Sequence, residues 1–178
     1  MIVTKIIDES HQGDINIKNE PFALTGRMIP SYDGKSWSYS VERVPEAEIG
    51  SMCFPDENYS FGEMKNDTTF IGAYDGDECI GLAVMQKAMF RYMYLLDLKV
   101  CTKYRRHGVG RTLIEAAKRL AAENNYRGIY ACGQDNNLEA CLFYIGTGFR
   151  IGGVDSAVYT GTSQEGKSDI FFYTECDG

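Results

Sequence analysis

The segment Tyr104-Arg105-Arg106-His107-Gly108-Val109-Gly110-Arg111-Thr112 brings arginines and glycines together where an apolar run gives way to helical periodicity. Glycine lets a turn bring its backbone close to a ligand, because no Cβ stands in the way. The first N–H groups of a helix have no intrahelical acceptor and the helix dipole adds to them. An anion placed there is stabilised by about 0.3–1 kcal/mol when exposed. Arg105, Arg106 and Arg111 add positive charge in a planar fork that can donate two hydrogen bonds to one phosphate. The chemistry on offer is retention of a diphosphate. The pattern is R-x-x-G-x-G; it is not G-x-x-x-x-G-K-[ST], and it lacks the third glycine of G-x-G-x-x-G. Alone, the hexamer fits a plain strand-to-helix turn with exposed arginines equally well.

Two further groups could do chemistry. Asp97 is the single carboxylate in the apolar run Arg91 to Val100. A buried, unpaired carboxylate is costly, so Asp97 lies at an exposed strand end, pairs with a lysine, or faces an amine. Asn137, Ala140 and Tyr144 stand at i, i+3 and i+7, one helical face apart from the face that buries Leu138, Cys141, Leu142 and Ile145. An amide, a small residue and a phenol in line describe a groove wall, or else a helix-capping asparagine and an ordinary half-buried tyrosine.

The elements that must position these groups follow from periodicity and turn chemistry. Ile2 to Ile7 reads as an edge strand and His11 to Glu20 as a polar loop. Phe22 to Ile29 and Ser36 to Val44 read as strands around an Asp33-Gly34 turn, since primed turns favour Asp-Gly. Pro45 to Asn66 is irregular and acidic, either a substrate-facing loop or a solvated connector. Thr68–Tyr74 and Glu78–Lys87 form a second hairpin, followed by Arg91–Val100 as a central strand. The next helix buries Leu113, Ile114, Ala117, Leu120 and Ala121, with Glu115, Lys118 and Arg119 on its exposed side. Gly128 to Gln134 is a short buried strand, Asp135-Asn136-Asn137 opens a helix, and Gly146 and Gly148 end it. Arg150–Tyr159 and Asp169–Thr174 are the last strands, on either side of a polar turn.

Composition bounds the classes. The chain has 178 residues, enough for one domain with a substantial core, and neither repeat nor linker divides it. No apolar run approaches the roughly 20 residues that span a bilayer, and the N-terminus has no signal-peptide pattern, so a cytoplasmic protein without membrane partners is expected. A net charge of −7 argues against a nucleic-acid partner and favours a cationic small molecule. Six cysteines without C-x-x-C spacing and only two histidines give no metal site. Cys101 lies near the glycine loop, but nothing marks it as a nucleophile. The oligomeric state is not legible, and a homodimer stays open.

From Thr68 the order is three strands, the R-x-x-G-x-G helix, a strand, the N-x-x-A-x-x-F-Y helix with Gly148-Phe149, and two strands. This resembles the GNAT superfamily of N-acetyltransferases. A narrower likeness lies in Asn19-Glu20-Pro21-Phe22, Met28-Ile29-Pro30-Ser31-Tyr32, Trp37, Gln134-Asp135-Asn136-Asn137-Leu138, Ala140-Cys141, Phe143-Tyr144 and Gly148 through Asp155. It is to bacterial streptothricin acetyltransferases. Arg106 and His107 stand where relatives carry Gly and Gln. Leu96 replaces a Glu found beside the matching Asp in some relatives, which leaves the base open.

The resemblance implies an α/β (α+β) fold: one domain over 1–178, with a mixed, mostly antiparallel twisted sheet of about seven strands flanked by helices. An N-terminal hairpin would span 22–44 and a cofactor-binding core 68–150. It implies acetyl transfer from acetyl-CoA, without a metal, to a primary amine on the β-lysine tail of streptothricin, and hence resistance to that antibiotic. The diphosphate would sit on Arg105, Arg106, His107, Gly108, Val109, Gly110, Arg111 and Thr112. Pantetheine would run along Leu98, Lys99 and Val100, oriented by Asn137. A lysine-like amine of pKa ~10.4 is mostly protonated at neutral pH, so Asp97 would take its proton. Tyr144 would return one to the departing thiolate. Asp97, Asp155 and Glu20 are the expected substrate carboxylates, with Trp37 and Tyr39 as apolar or cation–π walls. The alternatives are a GNAT enzyme acting on a polyamine, an aminoglycoside or a protein N-terminus, and a CoA-binding module without catalysis.

Overall fold

The computed structural model describes residues 1–176. Seven strands form the main sheet in the order β1-β6-β7-β8-β9-β11-β10: β1 (Ile2–Ile6), β6 (Thr68–Asp75), β7 (Glu78–Gln86), β8 (Tyr92–Val100), β9 (Gly128–Gln134), β11 (Asp169–Glu175) and β10 (Arg150–Asp155). The α/β class and strand number are those expected. Two short pairs stand apart from it, β2 (Phe22–Leu24) with β5 (Gly50–Met52), and β3 (Gly26–Tyr32) with β4 (Trp37–Arg43). The helices are α1 (Phe61–Met64), α2 (Val109–Glu123) and α3 (Leu138–Gly146). Among the described residues no helix is long and apolar enough to cross a membrane.

The chain forms two compact units. The first comprises Met1–Glu20, Phe54–Tyr130 and the chain end from Glu175. Here β1 pairs antiparallel with β6, β6 with β7 around Asp75-Gly76-Asp77, and β7 with β8. One face of β7 carries Leu82 and Val84 into a cluster with Ile7, Ile15 and Phe70, flanked by Tyr59, Phe61, Met64 and Leu96. Burial of Ile15 explains a departure from the sequence reading: Glu9–Asn16 is a 3-10 helix, not open loop. The other face receives α2, whose Leu113, Ile114, Ala117 and Ala121 are fully buried, as the periodicity predicts. Lys118 does not stay on the exposed side: it is buried, and the Cys176 thiol of the chain end donates to its carbonyl at 3.2 Å.

Gly81 is what lets the start of α2 sit down on the sheet. A Cβ at this position would lie 3.0 Å from the Lys99 carbonyl oxygen, 3.1 Å from Leu113 Cδ1 and 3.2 Å from Val109 Cγ1. The expected result for Gly81→Ala is therefore a loss of about 1–3 kcal/mol, the usual cost of overpacking, measured by urea unfolding. An unchanged midpoint would show that α2 is free to lift.

The second unit comprises Pro21–Cys53 and Ala131–Thr174. The Asp33 carboxylate closes the β3–β4 hairpin, accepting from Lys35 N at 2.8 Å and Ser36 N at 2.7 Å. The expected continuous strand from Phe22 to Ile29 is broken at Thr25, because Phe22–Leu24 pairs instead with Gly50–Met52. That pairing also gives part of the acidic 45–66 stretch a defined structure. Strand β10 ends at Asp155 rather than continuing to Tyr159, since Asp155 Oδ1 accepts from Ala157 N and Val158 N at 2.9 and 3.0 Å and turns the chain. Helix α3 faces β3, where Arg27 is ion-paired with the buried Asp135 and Met28 N donates to Asp135 O at 2.9 Å.

Candidate active site

In the first unit the glycine loop is built as its sequence suggests, with one addition. After β8 the chain makes a 3-10 turn, Thr102–Tyr104, before the loop proper. Arg106 has φ +64° and Gly108 φ +85°, and His107 between them is not among the positive-φ residues. Alternation of hand along consecutive residues turns successive N–H groups toward one concavity, the nest that binds anions. The first α2 bond in this stretch runs from Thr112 N to Gly108 O at 3.0 Å, so the amides of Val109 and Gly110 precede the intrahelical ladder.

The loop's side chains hold it in shape. Arg105 Nε donates to Val100 O at 2.9 Å, and its Nη2 lies 3.6 Å from Glu20 Oε2. The same Glu20 oxygen accepts from Thr102 N at 2.6 Å and Thr102 Oγ1 at 2.9 Å. His107 Nδ1 is 2.8 Å from Arg105 O. Glu20, expected as a substrate carboxylate, is therefore committed to bracing the loop. Part of Arg105 and the Val100 carbonyl are likewise occupied locally. The Cys101 thiol is pushed up by burial and by the carboxylates of Glu20 and Glu78, which fits an inert thiol. Among the described residues no cluster of His, Cys, Asp or Glu could hold a metal ion.

Asp97 sits in a polar cluster that periodicity alone does not show. The β7–β8 register slips between Val84↔Asp97 and Met85↔Leu95, leaving Leu96 as the extra residue of a β-bulge. Strict alternation would send Leu96 and Asp97 to opposite faces. Instead Leu96 packs on the cluster that Tyr59 flanks, and Tyr59 OH donates to Asp97 Oδ2 at 3.2 Å. Lys99 Nζ lies 3.2 Å from the same oxygen, is ion-paired with Glu57, and donates to Ile17 O at 3.2 Å. Burial holds the Asp97 carboxyl above the ordinary carboxylate range, with Lys99 opposing and Glu57 adding to the rise. Burial together with the Asp97 and Glu57 charges pushes the Tyr59 phenol up, so it stays a donor. Of the readings weighed for Asp97, pairing with a lysine is present. Glu57 belongs to the acidic stretch 45–66, but its place and that of Tyr59 beside Asp97 and Lys99 are not legible in the sequence, because only the fold brings residues 38 or more positions away to β8.

In the second unit Tyr144 is only 8 % exposed. Its ring centroid is 5.2 Å from those of Phe149 and Phe172 and 5.8 Å from that of Phe143. This corrects the helical stripe: Tyr144 belongs to the buried face with Leu138 and Cys141, whereas Leu142 and Ile145 are half-buried. The physical reason is aromatic packing from β11 and from Phe149, which the helix period does not register. Asn137 stands at the N-cap position of α3 without a side-chain cap bond. Trp37 and Tyr39 share a cleft of about 630 Å³ with Ile145, Phe149 and Arg150, and Trp37 also packs 5.0 Å from Tyr32. Asp155 is the turn residue described above.

A strand, a loop with positive φ at Arg106 and Gly108, and a helix whose first amides precede its ladder, set on a mostly antiparallel sheet, make a site of the anion-binding class. The sequence profile of the acetyltransferase (GNAT) family matches residues 36–149, and the chain belongs to that family; it is an N-acetyltransferase. It is 33% identical over 160 residues to streptothricin acetyltransferase A of Bacillus subtilis (strain 168), covering 90% of this chain and 92% of the relative. A solved structure from Bacillus anthracis str. Ames, with acetyl coenzyme A bound, superposes with a TM-score of 0.85 at 29% identity, over 99% of this chain and 98% of that one. Nourseothricin acetyltransferase has the same fold, with a TM-score of 0.79 at 22% identity and 99% of each chain covered.

Proposed function

We propose that the enzyme transfers the acetyl group of acetyl-CoA to a primary amine on the β-lysine moiety of streptothricin, inactivating the antibiotic. What supports this reading is likeness along 90% of the chain to a streptothricin acetyltransferase. The supply of acetyl as an activated thioester is the donor's part. The loop suits that donor because positive φ at Arg106 and at Gly108, with His107 between them outside that region, is the alternation of hand that forms an anion-binding nest. The nest and the first-turn amides of α2 hold the diphosphate, with Arg106 and Arg111 adding charge. Pantetheine runs along the strand end Leu98–Val100, beside the Val100 carbonyl that Arg105 Nε already engages, and Asn137 orients it.

The acceptor must lose a proton before it attacks. Asp97 is the carboxylate for this step, and the Lys99 ammonium already lies 3.2 Å from it, a primary ammonium of the type the substrate carries. Tyr144 is the acid that returns a proton to the thiolate. Acetylation removes one positive charge and an ammonium donor from a polycationic drug, which weakens its hold on its target.

The test is thiol release from acetyl-CoA by the purified enzyme over a panel of amines. Streptothricin is expected to give the highest kcat/KM, with a polyamine, an aminoglycoside and a peptide N-terminus at least about tenfold lower. Inert streptothricin beside turnover of another amine would replace the substrate while leaving the acetyltransferase.

A further inference from the structure

Lys99 is placed as no surface lysine is. Its side chain is 8% exposed, and it is enclosed by two carboxylates, Glu57 at 31% and Asp97 at 16% exposure. An ammonium has three N–H donors, and three acceptors meet it: Glu57, Asp97 Oδ2 at 3.2 Å and Ile17 O at 3.2 Å. The Tyr59 ring centroid is 5.9 Å from Nζ, and the Tyr59 hydroxyl donates to Asp97 Oδ2 at 3.2 Å. One Asp97 oxygen is thus fastened from two sides. The other takes no hydrogen bond among the described residues, on a side chain that keeps some access to solvent.

We propose that Lys99 is a positioning residue for the reaction: its buried ammonium holds Asp97 in the charged form and anchors one of its oxygens, leaving the other to meet the incoming amine. The proposal rests on the reading of Asp97 as proton acceptor, and it adds the group that makes such an acceptor workable away from water. Two carboxylates this close and this sheltered cannot both stay ionised without a cation between them. The groups facing Asp97 are Lys99 from β8 and Glu57 and Tyr59 from the segment before α1, with Tyr94 acting on Tyr59. Of these, Lys99 alone favours the anion by charge; burial and Glu57 oppose it.

The experiment compares Lys99→Met, Lys99→Arg and the wild-type enzyme in two readouts. The first is the pH profile of kcat/KM with whichever amine is acetylated; the second is the titration of the Asp97 carboxyl by ¹³C NMR, which needs no substrate. Loss of the cation is expected to move the Asp97 titration, and with it the acid limb of the profile, upward by about one pH unit or more. Lys99→Arg should keep both near wild type. Should Lys99→Met not fold, Glu57→Gln and Glu57→Gln/Lys99→Met make the same comparison with the repelling carboxylate removed. An Asp97 titration that stays in place when Lys99 is replaced overturns the proposal. A titration that moves while the rate profile does not would support the counter-ion and remove Asp97 from the reaction, so the two failures separate.

Discussion

Asp97→Asn is expected to lower kcat/KM for the acceptor amine by about 10²–10⁴-fold, the range for loss of a positioned general base. Asparagine keeps the shape and can still accept from Tyr59 and Lys99, but it takes up no proton. The same substitution should not weaken the fold. Burial raises the Asp97 carboxyl above the range it has in the unfolded chain, so the folded state binds its proton more tightly. Stability then falls as pH rises through that window. At neutral pH the charged Asp97 is a cost that asparagine removes, while Lys99 keeps Glu57. The thermal midpoint of the variant should equal or exceed that of the wild type at pH 7, and its advantage should shrink on acidification. Steady-state kinetics and thermal unfolding at two pH values check both halves. A variant with near-normal kcat/KM would mean that another group takes the proton.

Tyr144→Phe is expected to lower turnover by about 10²-fold or more, with the KM for acetyl-CoA nearly unchanged. The phenylalanine ring can occupy the same place against Phe143, Phe149 and Phe172, so packing survives and only the hydroxyl is lost. Single-turnover acetylation separates this from slow product release. Undiminished turnover would assign the proton of the departing thiol to solvent or to another residue. A large rise in KM with kcat preserved would make Tyr144 a packing residue of the donor site.

The parts of this enzyme that could be read directly are those governed by local rules. The R-x-x-G-x-G loop, the buried stripe Leu113, Ile114, Ala117, Leu120 and Ala121, and the hairpins at Asp33-Gly34 and Asp75-Gly76-Asp77 each rest on neighbours within a few positions. Their physics is backbone freedom, helical period and turn chemistry, and the structure has them where they are expected. Tyr144 was identifiable as a residue of interest, but its surroundings were not. Its aromatic neighbours include Phe172, which is 28 residues further along the chain (172 − 144).

The amino-acid order by itself pointed to the class of transferase through a resemblance that runs along much of the chain, and to a candidate anion loop, phenol and carboxylate through short-range signals. Packing in three dimensions assigned Glu20 to bracing Thr102 and Arg105, and Asp155 to a turn. It also placed Glu57, Tyr59 and Lys99 around Asp97 through a bulge at Leu96. A bulge cannot be read from hydrophobic alternation in a strand as apolar as Tyr92–Val100, and a charge acquires its partner only when distant segments are brought within a few ångströms.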